Sequence, residues 1–207
     1  MNLLSNILIQ PNVITQSGLD FLIDYINKNE KIDLGVFDAN KSNLTKKMEY
    51  SVDKKIRDTQ GINIQGIVSE MMDLYQKLVT NIINPFYNVE ILDSEMPQLL
   101  RYIPGGFYSP HVDGESLCLD ENKNKVWKKT SDRDISTIIY LNDDFEGGEL
   151  VFPELKIMIK PEPGLLVCFP STHEYVHAVN PITKGERFAI VNWLTIKGYP
   201  RLPDYKK

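Results

Sequence analysis

The apolar positions of this chain change their period near residue 89. Before that point they step by three and four. Leu19, Leu22 and Ile26 recur at helical spacing, with Phe21 and Tyr25 beside them. Ser17 stands ahead of them as an N-cap, with Asp20 three residues on in a weak capping box. This predicts a helix over residues 17–29. Ile67, Met71, Leu74, Leu78 and Ile82 repeat the pattern and predict a second helix over 64–83, its apolar face packed into a core. Asn84-Pro85 is expected to end that helix, because the residue before a proline disfavours helical backbone. Between the two, LGVF at 34–37 reads as a strand and residues 38–61 as a long polar connection with partial structure.

From Val89 onward the period is two. Short strands are predicted near 89–92, 97–103, 107–112, 134–142, 149–152, 156–160, 165–169, 174–179 and 187–197. Turn signals separate them: Pro104-Gly105-Gly106, Gly147-Gly148, Pro163-Gly164, Asn180-Pro181 and Lys184-Gly185. Many short strands so punctuated point to a sandwich or barrel. The expected fold is α+β, mainly β: one compact domain, with an N-terminal helical support region (1–88) against a jelly-roll region (89–207). The mouth of such a roll is a usual place for a small-molecule site. Residues 115–134, ESLCLDENKNKVWKKTSDRD, interrupt the pattern with twenty mostly polar residues. A stretch this long reads either as a solvated excursion or as a flap over substrate, with Trp127 as its one large apolar group.

Composition narrows the classes. A net charge of −5 argues against a nucleic-acid partner, and 42% hydrophobic with 25% charged residues is ordinary for a globular chain. Two cysteines, Cys118 and Cys168, make neither a disulfide framework nor a zinc motif, which fits a reducing compartment. MNLLSNILIQPNVIT lacks the basic start and cleavage site of a signal peptide. No apolar run approaches membrane-spanning length, so no membrane partner and a cytoplasmic location are expected.

The chemistry gathers around RYIPGGFYSPHVD, residues 101–113. In extended backbone His111 and Asp113 point the same way and can close on one metal ion. A third ligand must come from elsewhere, and the only other histidines are His173 and His177. Two imidazoles and a carboxylate on one side of a metal leave open positions opposite, a set that suits non-haem Fe(II) in oxygen chemistry. Taken alone, a His-x-Asp pair is a weak signal. Arg187 follows His177 by ten positions, across a Thr-Lys-Gly turn. Its planar fork would suit the carboxylate of an anionic cosubstrate bound to the metal at its other end, although a surface ion pair is the commoner fate of an arginine.

Four stretches, in order, carry a resemblance: RYIPGGFYSPHVD, RDISTIIYLNDDFEGGELVF, KPEPGLLVCF and HAVNPITKGERFAIVNW. Together they resemble the catalytic region of the Fe(II)- and 2-oxoglutarate-dependent dioxygenases of the prolyl 4-hydroxylase family. The resemblance implies a double-stranded β-helix with His111, Asp113 and His177 as iron ligands. It implies that Arg187 pairs with the distal carboxylate of 2-oxoglutarate, helped by Tyr140, with Tyr102 lining that pocket. It places Trp193 and Arg133 near the substrate. His173 lies at the wrong interval from Arg187 for the family and reads as a loop residue near the mouth. Trp127, Trp193 and Tyr108 would offer stacking surfaces to the proline rings of an extended, polyproline-like peptide.

The cofactors so implied are Fe(II), 2-oxoglutarate, O2 and ascorbate, the partner is a proline-containing peptide or protein, and the co-products are succinate and CO2. Gly114 departs from the aromatic residue that collagen-type members often carry after the aspartate, and the 115–134 stretch has its own composition. These departures leave the metal and cosubstrate untouched but open the substrate, so one alternative is a hydroxylase of a free amino acid or other small molecule; a second, from another class and disfavoured by the presence of all three ligands and the arginine, is a non-catalytic jelly-roll binding module.

Overall fold

The computed structural model describes residues 6–37 and 50–202. Strand β1 (Leu8–Gln10) is followed by helix α1 (Gln16–Lys28) and by β2 (Lys31–Asp33), β3 (Val36–Phe37), β4 (Tyr50–Ser51), β5 (Arg57–Asp58) and β6 (Gln60–Ile62). A 3-10 turn (Gln65–Ile67) opens a second helical run, α2 (Val68–Leu78), which passes through a π turn (Val79–Ile83) into α3 (Asn84–Tyr87). Then come β7 (Ile91–Ser94), β8 (Gln98–Tyr102), β9 (Phe107–His111), β10 (Glu115–Leu119), β11 (Lys125–Lys129), β12 (Ile135–Tyr140) and β13 (Glu146–Gly147). The last are β14 (Leu150–Phe152), β15 (Ile157–Ile159), β16 (Leu166–Pro170), β17 (His177–Val179), β18 (Ile182–Lys184) and β19 (Arg187–Ile196).

Helix α1 buries Leu19, Leu22 and Ile26, as their spacing requires, but its cap is Thr15 rather than Ser17: the Thr15 hydroxyl accepts from the Gly18 N–H at 3.3 Å. The second run does not end at Asn84-Pro85. The π turn, closed by the Asn84 N–H on the Val79 carbonyl, carries the chain into α3 with Pro85 in its first turn. Asn88, at φ 53°, ends the run in the left-handed conformation.

Eight strands form one sheet in the order β1-β16-β12-β19-β8-β6-β2, with β7 also paired to β19; five form a second, β15-β14-β17-β9-β5. Residues ahead of position 89 thus supply edge strands to both sheets as well as the helices. Alternation along β12 shows how the larger sheet is sandwiched. Ile135 and Ile139 pack outward with Leu22, Ile26, Met71 and Tyr75 of the helices. Ile138 and Tyr140 pack inward with Leu150, Phe152 and Ile159 of the smaller sheet. No helix among the described residues is long and apolar enough to cross a membrane.

Two further expectations change, and a third is not reached. The 115–134 stretch is not irregular: β10 and β11 pair in register from Glu115–Lys129 to Leu119–Lys125, around a turn held by the Asp120 carboxylate. Its period is hard to read because both faces remain largely in water, so polar and apolar contrast is weak. The strand expected over 174–179 is a 3-10 turn at His173–Tyr175 followed by β17. Residues 38–49, most of the polar connection, lie outside the described residues.

Candidate active site

Antiparallel pairing of β9 with β17 sets His111 directly opposite His177 in the smaller sheet. Asp113 lies two residues beyond the end of β9. Its Oδ1 is 3.6 Å from His111 Nε2 and its Oδ2 is 3.5 Å from His177 Nε2. The three donor atoms all lie within 4.8 Å of one another.

Both rings are fixed in the same way, each by the carbonyl two residues back in the chain. His111 Nδ1 donates to the Ser109 carbonyl at 2.8 Å, and His177 Nδ1 to the Tyr175 carbonyl at 3.0 Å. With the proton on Nδ1, each Nε2 lone pair faces the cluster. Burial and the neighbouring His177 ring push His111 down to about 3, so its imidazole stays neutral and free to ligate. Burial alone would raise the Asp113 carboxyl. Attraction to the His177 and His111 rings and the Ser136 hydrogen bond outweigh it and hold the group below its ordinary value.

The carboxylate is also held mechanically. Ser136 Oγ donates to Asp113 Oδ2 at 2.7 Å and lies 2.8 Å from Ser171 Oγ. The Gly114 N–H donates to the Ser171 carbonyl at 2.9 Å. A Cβ at position 114 would stand 2.5 Å from the Arg133 carbonyl oxygen and 2.8 Å from that of Ser171. A side chain at this position therefore has no room, and the tight approach anchors the backbone beside Asp113.

His111, Asp113, His177 and Ser136 line a cavity of about 440 Å³ between the sheets, together with Arg187, Tyr102, Tyr108, Arg133 and Trp193. Arg187 is 1% exposed. Its Nε and Nη1, and the Tyr140 hydroxyl, have no hydrogen-bond partner among the described residues. Register places it: Arg187 is opposite Tyr102, and Ala189, two residues on, is opposite Tyr140. The guanidinium lies 4.7 Å from the Tyr102 ring centre and 5.0 Å from that of Tyr140. Tyr140 is fully buried behind it and is not itself part of the cavity wall.

Tyr108 stacks on His111 with ring centres 3.6 Å apart, and burial pushes its hydroxyl up to about 12. Arg133 is bonded to the Glu95 carboxylate, 2.8 Å from Nη2, and lies 3.7 Å over the Trp193 ring. One expected site residue falls elsewhere: Trp127 is on the β10–β11 hairpin, outside the cavity wall, stacked on His173. His173, expected as a loop residue near the mouth, is bonded to Glu115 and is not among the three clustered donors.

Sequence reasoning missed Arg57, Glu95 and Ser136. Arg57 stands over the Tyr108 ring at 4.8 Å but comes from the polar segment that carried no motif. Nothing local marks Glu95. Ser136 could have been found, as a polar residue on the same face of strand ISTIIY as Ile138 and Tyr140.

The donor set suits a divalent metal, and an unpaired buried guanidinium suits a carboxylate. The comparisons with known proteins point the same way. Residues 97–195 match the family model of the 2OG-Fe(II) oxygenase superfamily. Human prolyl 3-hydroxylase 2 is 38% identical over 93 residues, 41% of this chain but 13% of that protein. An Acanthamoeba polyphaga mimivirus protein provisionally named prolyl 4-hydroxylase is 32% identical over 151 residues, 68% of this chain and 59% of the relative. The chain thus spans less than two thirds of the length of either. A Trichoplax adhaerens prolyl hydroxylase, solved with a hypoxia inducible factor peptide fragment, shares the fold at a TM-score of 0.65 and 16% identity, covering 92% of this chain and 84% of that one. The viral collagen prolyl hydroxylase of Paramecium bursaria Chlorella virus-1, solved with 2OG, does so at 0.60 and 21% identity, covering 91% and 95%.

Proposed function

We propose that this chain, whose residues 97–195 match the 2OG-Fe(II) oxygenase superfamily model, is an Fe(II)- and 2-oxoglutarate-dependent dioxygenase that hydroxylates prolyl residues of a peptide or protein at C4. The facing sheets are read as a double-stranded β-helix, with the site at its open end. One observation carries the reading: three metal donors within 4.8 Å of one another share a cavity with a buried guanidinium, two of whose nitrogens have no hydrogen-bond partner among the described residues.

In this reading His111, Asp113 and His177 hold the metal. When bound, Fe(II) supplies the activation of O2 that couples conversion of 2-oxoglutarate to succinate and CO2 with hydroxylation of the substrate, and ascorbate keeps it reduced. The protein's own part is positional. The carbonyls of Ser109 and Tyr175 fix the two imidazole tautomers. Ser136 holds one carboxylate oxygen of Asp113. Arg187, with Tyr140 buried behind it, receives the distal carboxylate of the cosubstrate in a water-poor pocket beside Tyr102, where charge-assisted hydrogen bonds gain strength. Tyr108 and Trp193 present ring faces to the target proline. Arg133, steadied by Glu95, donates to the backbone of the substrate. A proline-rich segment, already ordered as polyproline II, loses little entropy in such a site. Solved relatives named for collagen and for hypoxia inducible factor peptides support a polypeptide substrate.

The test is to incubate the protein with prolyl peptides, Fe(II), 2-oxoglutarate, ascorbate and air, and to follow succinate together with peptide mass. Gain of one oxygen on proline, resolved as the 4-isomer by amino-acid analysis, is expected. Since relatives named for 3-hydroxylation are also found, the 3-isomer would correct the position. Hydroxylation of free amino acids with no prolyl peptide turned over would overturn the substrate class.

A further inference from the structure

A buried polar atom without a partner destabilises the free protein, and a ligand that supplies the partner removes that cost. Besides Arg187, two residues of the cavity wall carry such an atom among the described residues: Arg57 at Nε and Gln98 at Oε1. Arg57 lies over the Tyr108 ring, a contact that offsets part of its cost. The Gln98 oxygen is an acceptor that the proposed chemistry leaves unused.

Strand register says which part of the cavity this oxygen serves. Gln98 opens β8, and alternation puts it on the same face as Leu100 and Tyr102, all three lining the cavity. Tyr102 is opposite Arg187, and Gln98 is opposite Val191. Four residues of extended chain set Gln98 about 13 Å along β8 from the Arg187–Tyr102 end. The next residue of β19 on that face is Trp193, which is opposite Ser136, the residue that holds Asp113. Three residues before Gln98, the Glu95 N–H donates to the Trp193 carbonyl at 2.9 Å. Gln98 thus belongs to the half of the cavity walled by Trp193, Glu95 and Arg133. The cosubstrate's distal carboxylate is received at the other end.

We propose that Gln98 Oε1 accepts a backbone N–H of the polypeptide substrate, from the residue directly before or directly after the target proline. A carbonyl oxygen needs a donor, and the target proline has none, because its ring closes on the backbone nitrogen. The nearest donors that a peptide can bring are the N–H groups of the two flanking residues. A neutral side-chain amide matches a peptide group better than it matches a charged side chain. The contact narrows the substrate class to prolines set between residues that carry an N–H, and it disfavours uninterrupted runs of proline. This rests on the reading of the cavity as a prolyl hydroxylase site and adds to it what lies beside the target.

The experiment uses a labelled peptide with Ala-Pro-Ala at its centre and two esters of it, in which lactic acid replaces the alanine before or after the proline. Each ester exchanges one N–H for an oxygen with little change of shape. Binding to the Mn(II)- and 2-oxoglutarate-loaded protein is read by anisotropy. One of the two esters is expected to bind about tenfold more weakly than the parent, since it loses a hydrogen bond and turns an oxygen toward the Gln98 carbonyl. In Gln98→Met, of similar length but apolar, the parent and that ester should bind within about twofold of each other. Gln98→Glu keeps an acceptor and should restore the difference, which a merely structural role would not do. Titration of 2-oxoglutarate into Gln98→Met should give an unchanged affinity. Equal binding of both esters and the parent by the unaltered protein would overturn the proposal, and that comparison needs no variant. So would an ester deficit that persists undiminished in Gln98→Met. Gain of oxygen by the parent peptide tests the prolyl reading separately. Turnover of the parent without any ester effect sinks this contact alone, whereas a parent that is neither bound nor hydroxylated sinks both.

Discussion

Arg187→Met separates what Arg187 does for binding from what it costs the fold. The guanidinium is 1% exposed, and two of its nitrogens lack partners among the described residues. If it forms a bidentate pair with a carboxylate, each charge-assisted hydrogen bond is worth about 1.5–3 kcal/mol, so losing two removes roughly 3–6 kcal/mol. At about 1.4 kcal/mol per tenfold, 2-oxoglutarate affinity should fall by roughly 10²–10⁴. For the ligand-free protein the sign reverses. An unsatisfied buried polar group costs about 1–3 kcal/mol, and a charged one more, which methionine removes at similar volume. Lost contacts with the Tyr102 and Tyr140 rings, about 0.5–2 kcal/mol each, offset part of that gain. A net gain of about 1 kcal/mol raises the melting temperature of a chain this size by roughly 2–4 °C. Isothermal titration of 2-oxoglutarate into the Mn(II)-loaded protein and thermal melts without ligand read the two arms. Arg187→Lys should keep the charge, lose the fork and fall between. Unchanged 2-oxoglutarate affinity in Arg187→Met would refute the carboxylate assignment, and a lower melting temperature would refute the argument from unpaired burial.

Other consequences are open to direct measurement. A metal that binds only the folded chain, at about a hundred times its Kd, should add about 2.7 kcal/mol of stability; His177→Ala should abolish that thermal shift under anaerobic Fe(II). Gly114→Ala forces a Cβ against the Arg133 and Ser171 carbonyls, 2.5 and 2.8 Å away. It should weaken metal binding, read by titration, while circular dichroism reports an intact fold. Glu186 is held below its ordinary value chiefly by its hydrogen bond to Arg101. A depressed carboxylate contributes stability above its unfolded pKa and loses it as pH falls through the folded one. Glu186→Gln should therefore lower the melting temperature near neutrality and flatten the acid limb, by about 1 kcal/mol or less given the exposure of the pair.

Elements with strong contrast between buried and exposed positions could be read from the chain. The stripe Leu19, Leu22, Ile26 marks α1, and the change from period four to period two marks where the strand-rich region begins. Elements without that contrast could not. The β10–β11 hairpin keeps both faces largely in water, so ESLCL and KVWKK look like polar chain. The continuation of the second helical run through Pro85 depends on a π turn, which is a matter of packing rather than of propensity.

By itself the sequence narrowed the candidate metal donors to the His-x-Asp pair and one of two further histidines, because only three histidines exist and that spacing orients two donors locally; the choice of His177, and of Arg187 for a diacid, came from the resemblance. Tertiary structure decided the rest. His111 meets His177 because β9 pairs with β17 in one particular register, and Arg187 is buried against Tyr102 because β19 pairs with β8. Arg57, Glu95 and Ser136 join the site only through contacts between segments far apart in the chain. Local periodicity encodes the direction of a side chain from its own backbone; which other side chain it meets depends on long-range strand register, which no short window of residues contains.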